Sequence, residues 1–385
     1  MQPGRAFILS ALLALFATPC RASPIDYTDV VVFGDSLSDV GNTANHWLAG
    51  LASFFGDDTF DAVTNGRFSD GPVWVEHLAA KLGLPGSASS RSDSGGDNYA
   101  HGGARTGSGT QTLGVIDNLG RQISNYTNAN TPSANDLFVV WGGGNDLLDG
   151  VGTPASISNN MTSHVSALAS DGATRLLVMN LPRLGDIPRN RGTANQTTLN
   201  NQSSAYNALL ATSMANLETT LGIDITLFDV ETTFDRLLND PAAFGFTNTT
   251  QPAYDNNAVD PATSVFWDAI HPTTAAHRVL ADAAFVALHD PGDFTGDGMI
   301  DQDDLQIVLN HYAQPTTPFN LAQGDWDGDG QASIVELDLV LANWTRGSAA
   351  AVNVPEPGAA ALLGVFALFI ATRSSPRRML RRFGR

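Results

Sequence analysis

Four short runs, 30–33, 137–141, 175–180 and 223–228, are mostly apolar and strand-like. The first of them, a β-branched run ended by Gly34, reads as a buried strand entering a tight turn. Between them, apolar residues recur at helical spacing over 71–82, 156–170 and 198–221. Strands alternating with helices predict an α/β domain over 25–289, with a parallel sheet covered by helices on both sides. From His289 onward the pattern changes. Two units 32 residues apart each run from an Asp/Gly-rich loop into a short amphipathic helix, marking a second, small all-α region over 290–347.

The two ends read differently again. Residues 1–22 carry one early arginine, an apolar run and small residues near Ala22, the pattern of a secretory signal peptide. The only cysteine, Cys20, lies inside it, so an exported mature chain would hold no disulfide and would rely on core and metal. Residues 348–385 contain Val354-Pro355-Glu356-Pro357, an apolar stretch over 358–372 and a terminal cluster of arginines. The apolar stretch is short for a bilayer span, and the arginines follow it as in a cytoplasmic tail.

Chemistry enters at the end of the first run. Val30 to Asp39 reads VVVFGDSLSD, which delivers Ser36 to a tight turn at the carboxyl end of a strand, where open α/β sheets put their ligands. A nucleophilic serine needs a base, a group that orients the base, and donors for the oxyanion. WDAIHPT supplies Asp268 and His271, spaced so that a carboxylate reaches the imidazole Nδ1–H and leaves Nε2 as base. NYAHGGART offers a glycine pair, Gly102-Gly103, suited to bringing a backbone N–H to a substrate, and VVWGGGNDLL offers the Asn145 amide. Asp35, Asp39 and Asp146 read as turn and cap residues, and His101 as a loop residue. The mid-chain Gly-x-Ser-x-Gly elbow of the α/β-hydrolases does not describe a serine this early.

These four blocks, in this order, resemble the GDSL/SGNH hydrolase family over essentially the whole first region. The resemblance implies a three-layer α/β/α sandwich, flavodoxin-like, with about five parallel strands. It also implies Ser36 as nucleophile, His271 as base and Asp268 as its partner. The implied oxyanion donors are Ser36 N–H, Asn145, and Gly103 or its neighbour Gly102. GRFSDGPVWVEHLA, over 66–79, resembles the lipase-like branch, with no separate chemical role. The activity implied is hydrolysis of carboxylic esters without a catalytic cofactor. Carbohydrate O-deacetylation is the alternative, and a non-catalytic surface or matrix protein on the same scaffold is the rival from another class.

In the repeat, Asp293, Thr295, Asp297, Met299, Asp301 and Asp304 stand opposite Asp325, Asp327, Asp329, Gln331, Ser333 and Glu336. Those are loop positions 1, 3, 5, 7, 9 and 12 of an oxygen cage for Ca²⁺, with glycine at 6. A catalytic metal needs an open position, so the cages predict structural Ca²⁺ only. The pair resembles a type I dockerin, implying a cohesin-like partner. Thr295 departs from the usual Asn or Asp, so the first site is expected to bind more weakly. The C-terminal pattern resembles the PEP-CTERM sorting signal, implying an exosortase during export, a transient membrane anchor, and a final place at the cell surface or in the extracellular matrix. Composition narrows the partners further. With 39 Asp and Glu against 20 Lys and Arg, nucleic acid is an improbable ligand.

Overall fold

The computed structural model describes residues 26–44, 63–254, 256 and 258–345, and those up to Thr345 belong to one compact unit. The expected signal peptide at 1–22 and sorting signal at 348–385 lie outside the described residues. Among the described residues no helix is long and apolar enough to cross a membrane.

The four apolar runs form strands β1 (Val30–Phe33), β2 (Leu137–Val140), β3 (Arg175–Met179) and β4 (Asp224–Phe228). They pair in the order β1-β2-β3-β4, all parallel, with Val30 opposite Leu137 and Arg175 opposite Asp224. β1 and β2 are buried at every position, the burial expected of strands covered on both faces.

The fifth parallel strand is reduced to one bridge. Val32 N donates to Asp97 O and Tyr99 N to Val32 O, so residues 97–99 lie along the free edge of β1. Its sequence explains the brevity. Gly95-Gly96-Asp97-Asn98 has no β-branched run, and the Asn98 amide is spent tying Ser38 O and Ala88 O. With this stub beside β1 the spatial order is that of the flavodoxin-like doubly wound sheets. Their ligands bind at the switch point between the first strand and the neighbour on its other side. Here that is the gap between β1 and β2.

The helices are α1 (Trp74–Lys81), α2 (Leu119–Ala129), α3 (Gly144–Leu148), α4 (Pro154–Ser170), α5 (Gln196–Leu221), α6 (Val230–Asn239) and α7 (Thr274–Ala287). α2, α4 and α5 touch in that order, as do α1, α7 and α6, giving two helical layers around the sheet. α8 (Gln302–His311) and α9 (Ile334–Ala342) follow the two acidic loops and pack on each other. Their core of Phe294, Ile300, Val308, Leu321 and Val340 is continuous with Val286 at the end of α7.

Candidate active site

Gly34 ends β1, and the chain folds into a turn in which Asp35 O accepts from Ser38 N and Asp39 N. Ser36 sits on this turn. At the far end of the domain, residues 268–271 make a second turn around one carboxylate. Asp268 Oδ1 accepts from Ile270 N at 2.7 Å and His271 N at 2.6 Å, while Oδ2 meets His271 Nδ1 at 2.7 Å. His271 Nε2 then lies 2.8 Å from Ser36 Oγ, and the imidazole is buried. Burial works against the Asp268 charge, but His271 and the backbone donors outweigh it and hold the carboxyl below its ordinary range. The three residues singled out from the sequence thus form one continuous hydrogen-bonded chain.

The glycine pair resolves into two different needs. Gly102 N donates to Asp39 Oδ2 at 2.8 Å, and a Cβ on Gly102 would collide with the Phe68 ring. Gly103 adopts φ +78°, a conformation that favours glycine. Among the described residues the N–H groups of Gly103 and Ser36 have no protein partner. Asn145 Nδ2 spends one hydrogen on Ala104 O at 2.9 Å and keeps its second. Ser36, Gly103 and Asn145 line the same cleft. Of the two glycines left open by the sequence, Gly103 carries the unengaged donor.

Several supporting residues were invisible or undervalued in the sequence. Asp39 reads as a local cap, yet besides Gly41 N, Asn42 N and Thr43 N it also holds Gly102 N, fastening the serine turn to the glycine turn. Gln122, on α2, clamps Gly34 through both its N–H and its carbonyl. Asp146, read as a turn and cap residue, instead takes both Thr106 N and Thr106 Oγ1 from a segment 40 residues away. His101 Nδ1 lies 3.0 Å from Tyr99 O, away from the serine chain. The stretch 66–79, expected to carry no chemical role, braces the base. The Phe68 ring lies 5.3 Å from the His271 ring, Ser69 Oγ donates to Pro272 O, and Asp70 accepts from Thr274 N at the start of α7.

Two cavities meet at Ser36 and His271. One is an apolar slot of about 40 Å³, walled by Leu37, Trp141, Leu181, Ile187, Phe234 and Phe266. The other is a polar cleft of about 320 Å³, walled by Phe68, Arg105, Gln111, Thr112, Asp149 and Arg189. Asp35 borders the slot. Burial pushes its carboxyl up to about 6, partly offset by the Leu37 N–H and by His271.

The acidic loops are a separate construction. In the first, Asp293 accepts from Gly296 N and Gly298 N, and Asp304 takes Phe294 N, Thr295 N and Asp301 N, so both carboxylates are largely spent on the backbone. Asp297 Oδ1 accepts from Met299 N, and Asp301 caps α8. In the second, Asp325, Asp327 and Glu336 bring carboxylate oxygens within 4.8 Å of one another. Asp329 accepts from Gln331 N, and Ser333 caps α9 while donating to Glu336 Oε2. Glu336 is fully buried and its Oε1 has no partner. An unpaired buried carboxylate oxygen costs several kcal/mol unless a cation answers it, so this donor set fits a hard divalent ion.

Residues 30–284 match the family of GDSL-like lipases and acylhydrolases. The chain is 25% identical over 338 residues to the phosphatidylcholine-sterol acyltransferase of Aeromonas hydrophila, spanning 74% of this chain and 97% of that protein. It is 27% identical over 293 residues to the thermolabile hemolysin of Vibrio parahaemolyticus, spanning 70% of this chain and 65% of that protein. It is 26% identical over 323 residues to a GDSL esterase/lipase of Arabidopsis thaliana, spanning 67% of this chain and 88% of that protein. Among solved structures, a member of the lipolytic G-D-S-L family from Veillonella parvula aligns over 66% of this chain and 93% of its own, at 15% identity and a TM-score of 0.36. With the match running from the first residue of β1 nearly to the end of α7, the chain belongs to the GDSL-like lipase/acylhydrolase family.

Proposed function

We propose that the protein hydrolyses carboxylic esters of short acyl groups through an acyl-enzyme on Ser36. The observation that carries this reading is the chain Ser36–His271–Asp268 opening onto one apolar and one polar cavity. The ester carbonyl lies against Ser36 N–H, Gly103 N–H and the Asn145 amide, and the Ser36 oxygen attacks its carbon as His271 Nε2 takes the hydroxyl proton. Asp268 fixes the tautomer and offsets the imidazolium charge. Collapse of the tetrahedral adduct breaks the carbon–alkoxide bond, and His271 returns the proton to the departing alcohol. Water then repeats the sequence on the acyl-enzyme, releasing the acid and restoring the serine.

Polarity divides the two halves of the substrate. The acyl group takes the apolar slot and the alcohol the wet cleft. A dry protein cavity that holds benzene measures about 150 Å³, so a slot of about 40 Å³ admits only a few carbon atoms. This favours acetyl and similar esters, including those on carbohydrates. Turnover of p-nitrophenyl acetate through octanoate, by wild type and Ser36→Ala, tests the reading. The expected result is a fall in kcat/KM with chain length and a loss of about a thousandfold or more in the variant. Activity that survives Ser36→Ala overturns the mechanism.

The reading extends to the rest of the chain as a structural Ca²⁺ module, with Asp325, Asp327 and Glu336 at the centre of the stronger site and Thr295 weakening the other. Dockerin-like docking to a cohesin-type module, and export with exosortase processing of the C-terminal segment, complete the proposal on sequence pattern alone. Calorimetric Ca²⁺ titration of the protein and of Glu336→Gln tests the metal directly.

A further inference from the structure

The polar cleft runs against the charge of the chain around it. Acidic residues outnumber basic ones 39 to 20, yet two arginines, Arg105 and Arg189, line this one cleft beside Ser36 and His271. They are not equivalent. Arg105 is matched, with Nε and Nη2 both on Asp149 Oδ2 at 2.9 and 2.7 Å. Among the described residues Asp149 is the only carboxylate in the cleft wall, and this pairing occupies it. Arg189 is exposed, and its guanidinium has no hydrogen-bond or ionic partner among the described residues. Its main chain is nonetheless fixed, because Arg189 N donates to Ala269 O at 2.9 Å, inside the Asp268–His271 turn. A cation unpaired among the described residues therefore stands at the mouth of the alcohol side, in a wall that also carries Thr112 and Gln111.

A guanidinium presents a planar fork of donors that matches a carboxylate or phosphate. In a chain of net charge −19 an anionic substrate meets general repulsion, and a local positive site is what gives it a favourable approach. We propose that the alcohol portion of the substrate is an anionic polyol, its carboxylate or phosphate seated on Arg189 while a short acyl ester reaches Ser36. This rests on the ester-hydrolase reading above and names the substrate class for that site.

Matched esters test it on the full chain: methyl O-acetyl-glucuronoside against the glucoside, and acetyl-glycerol phosphate against monoacetin. The expected result is a preference of about tenfold in kcat/KM for the anionic member, carried mainly by KM, as for a hydrogen bond to a charged group. The preference should shrink as salt is raised. It should approach unity in Arg189→Gln, invert in Arg189→Glu and partly return in Arg189→Lys. A response in the uronate arm alone identifies a sugar acid, and one in the phosphate arm alone a phosphorylated alcohol; either supports the proposal. Equal rates on charged and neutral members, or a ratio untouched by Arg189→Gln, overturn it while leaving the hydrolase intact. Binding of the uronoside to Ser36→Ala, with and without Arg189→Gln, reads the anion site without turnover. If that binding does not depend on Arg189, the proposal fails even should the esterase reading fail separately.

Discussion

On the proposed mechanism, the reactivity of Ser36 depends on what holds its neighbours. Its turn is fastened to Gly102 by Asp39 and to α2 by Gln122, so nucleophile and donors form one rigid piece. Asn145→Ala removes one donor and should cost about a hundredfold or more in kcat on p-nitrophenyl acetate. Gly102→Ala drives a methyl into the Phe68 ring, which packs on His271. We expect it to lower both kcat and melting temperature, although residue 102 donates nothing to the substrate. Asp35 gives a pH signature. Its folded pKa of about 6 lies above the ordinary carboxyl value, so the native state binds its proton more tightly than the unfolded chain does. The sign is a loss of stability as pH rises from about 4 to about 6, with the deficit persisting above. Asp35→Asn, which keeps an acceptor for Leu37 N, should therefore stabilise by up to about 3 kcal/mol at pH 8 and by little at pH 4, read by denaturant titration.

At the level of elements, α7 is the one that matters most to the site, since it begins two residues beyond His271-Pro272. Thr273 Oγ1 accepts from Ala276 N and donates to Ser264 O, and Asp70 accepts from Thr274 N. Thr273→Val keeps the shape and loses the cap. It should cost about 1–2 kcal/mol of stability and lower kcat more than it raises KM. The strands were legible because four short, mostly apolar runs are each bounded by polar or turn residues, and their ends shifted by a residue at most. The blocks of the candidate site were legible because each pairs a chemical residue with a turn signal. α7 was not. Its Thr-Ala-Ala-His-Arg-Val-Leu-Ala-Asp-Ala-Ala is too rich in alanine for an apolar stripe to stand out. α2 was missed for a related reason, with only Leu119, Ile123 and Tyr126 spaced among polar residues and Gly120 near its start. The braces from Asp39, Gln122 and Phe68 were hidden because each joins segments far apart in the chain, and no local pattern records such a partner.

Over the whole molecule, the second acidic loop meets the hydrolase through Arg236 on α6, 4.0 Å from Asp327, while Phe319 stacks on Phe244. Phe234, on the same α6, lines the apolar slot beside Ser36. Ca²⁺ at a hundredfold excess over its Kd should add about 2.7 kcal/mol to stability. The melting temperature should rise accordingly, and Glu336→Gln should remove most of that gain, while EDTA leaves the chemistry of Ser36 unaltered. The end of α7 sets a limit on how the chain can be shortened. A protein stopped at residue 289 would retain every group that touches substrate, yet it would present Val286 and Phe285 to water where Phe294, Ile300 and Val340 now cover them. Trimming there bares an adhesive surface, so the minimal soluble hydrolase ends after α9 rather than before the first loop. Light scattering on the two truncations would tell them apart, the shorter one self-associating. In this chain the acidic loops are a lining as much as an appendage.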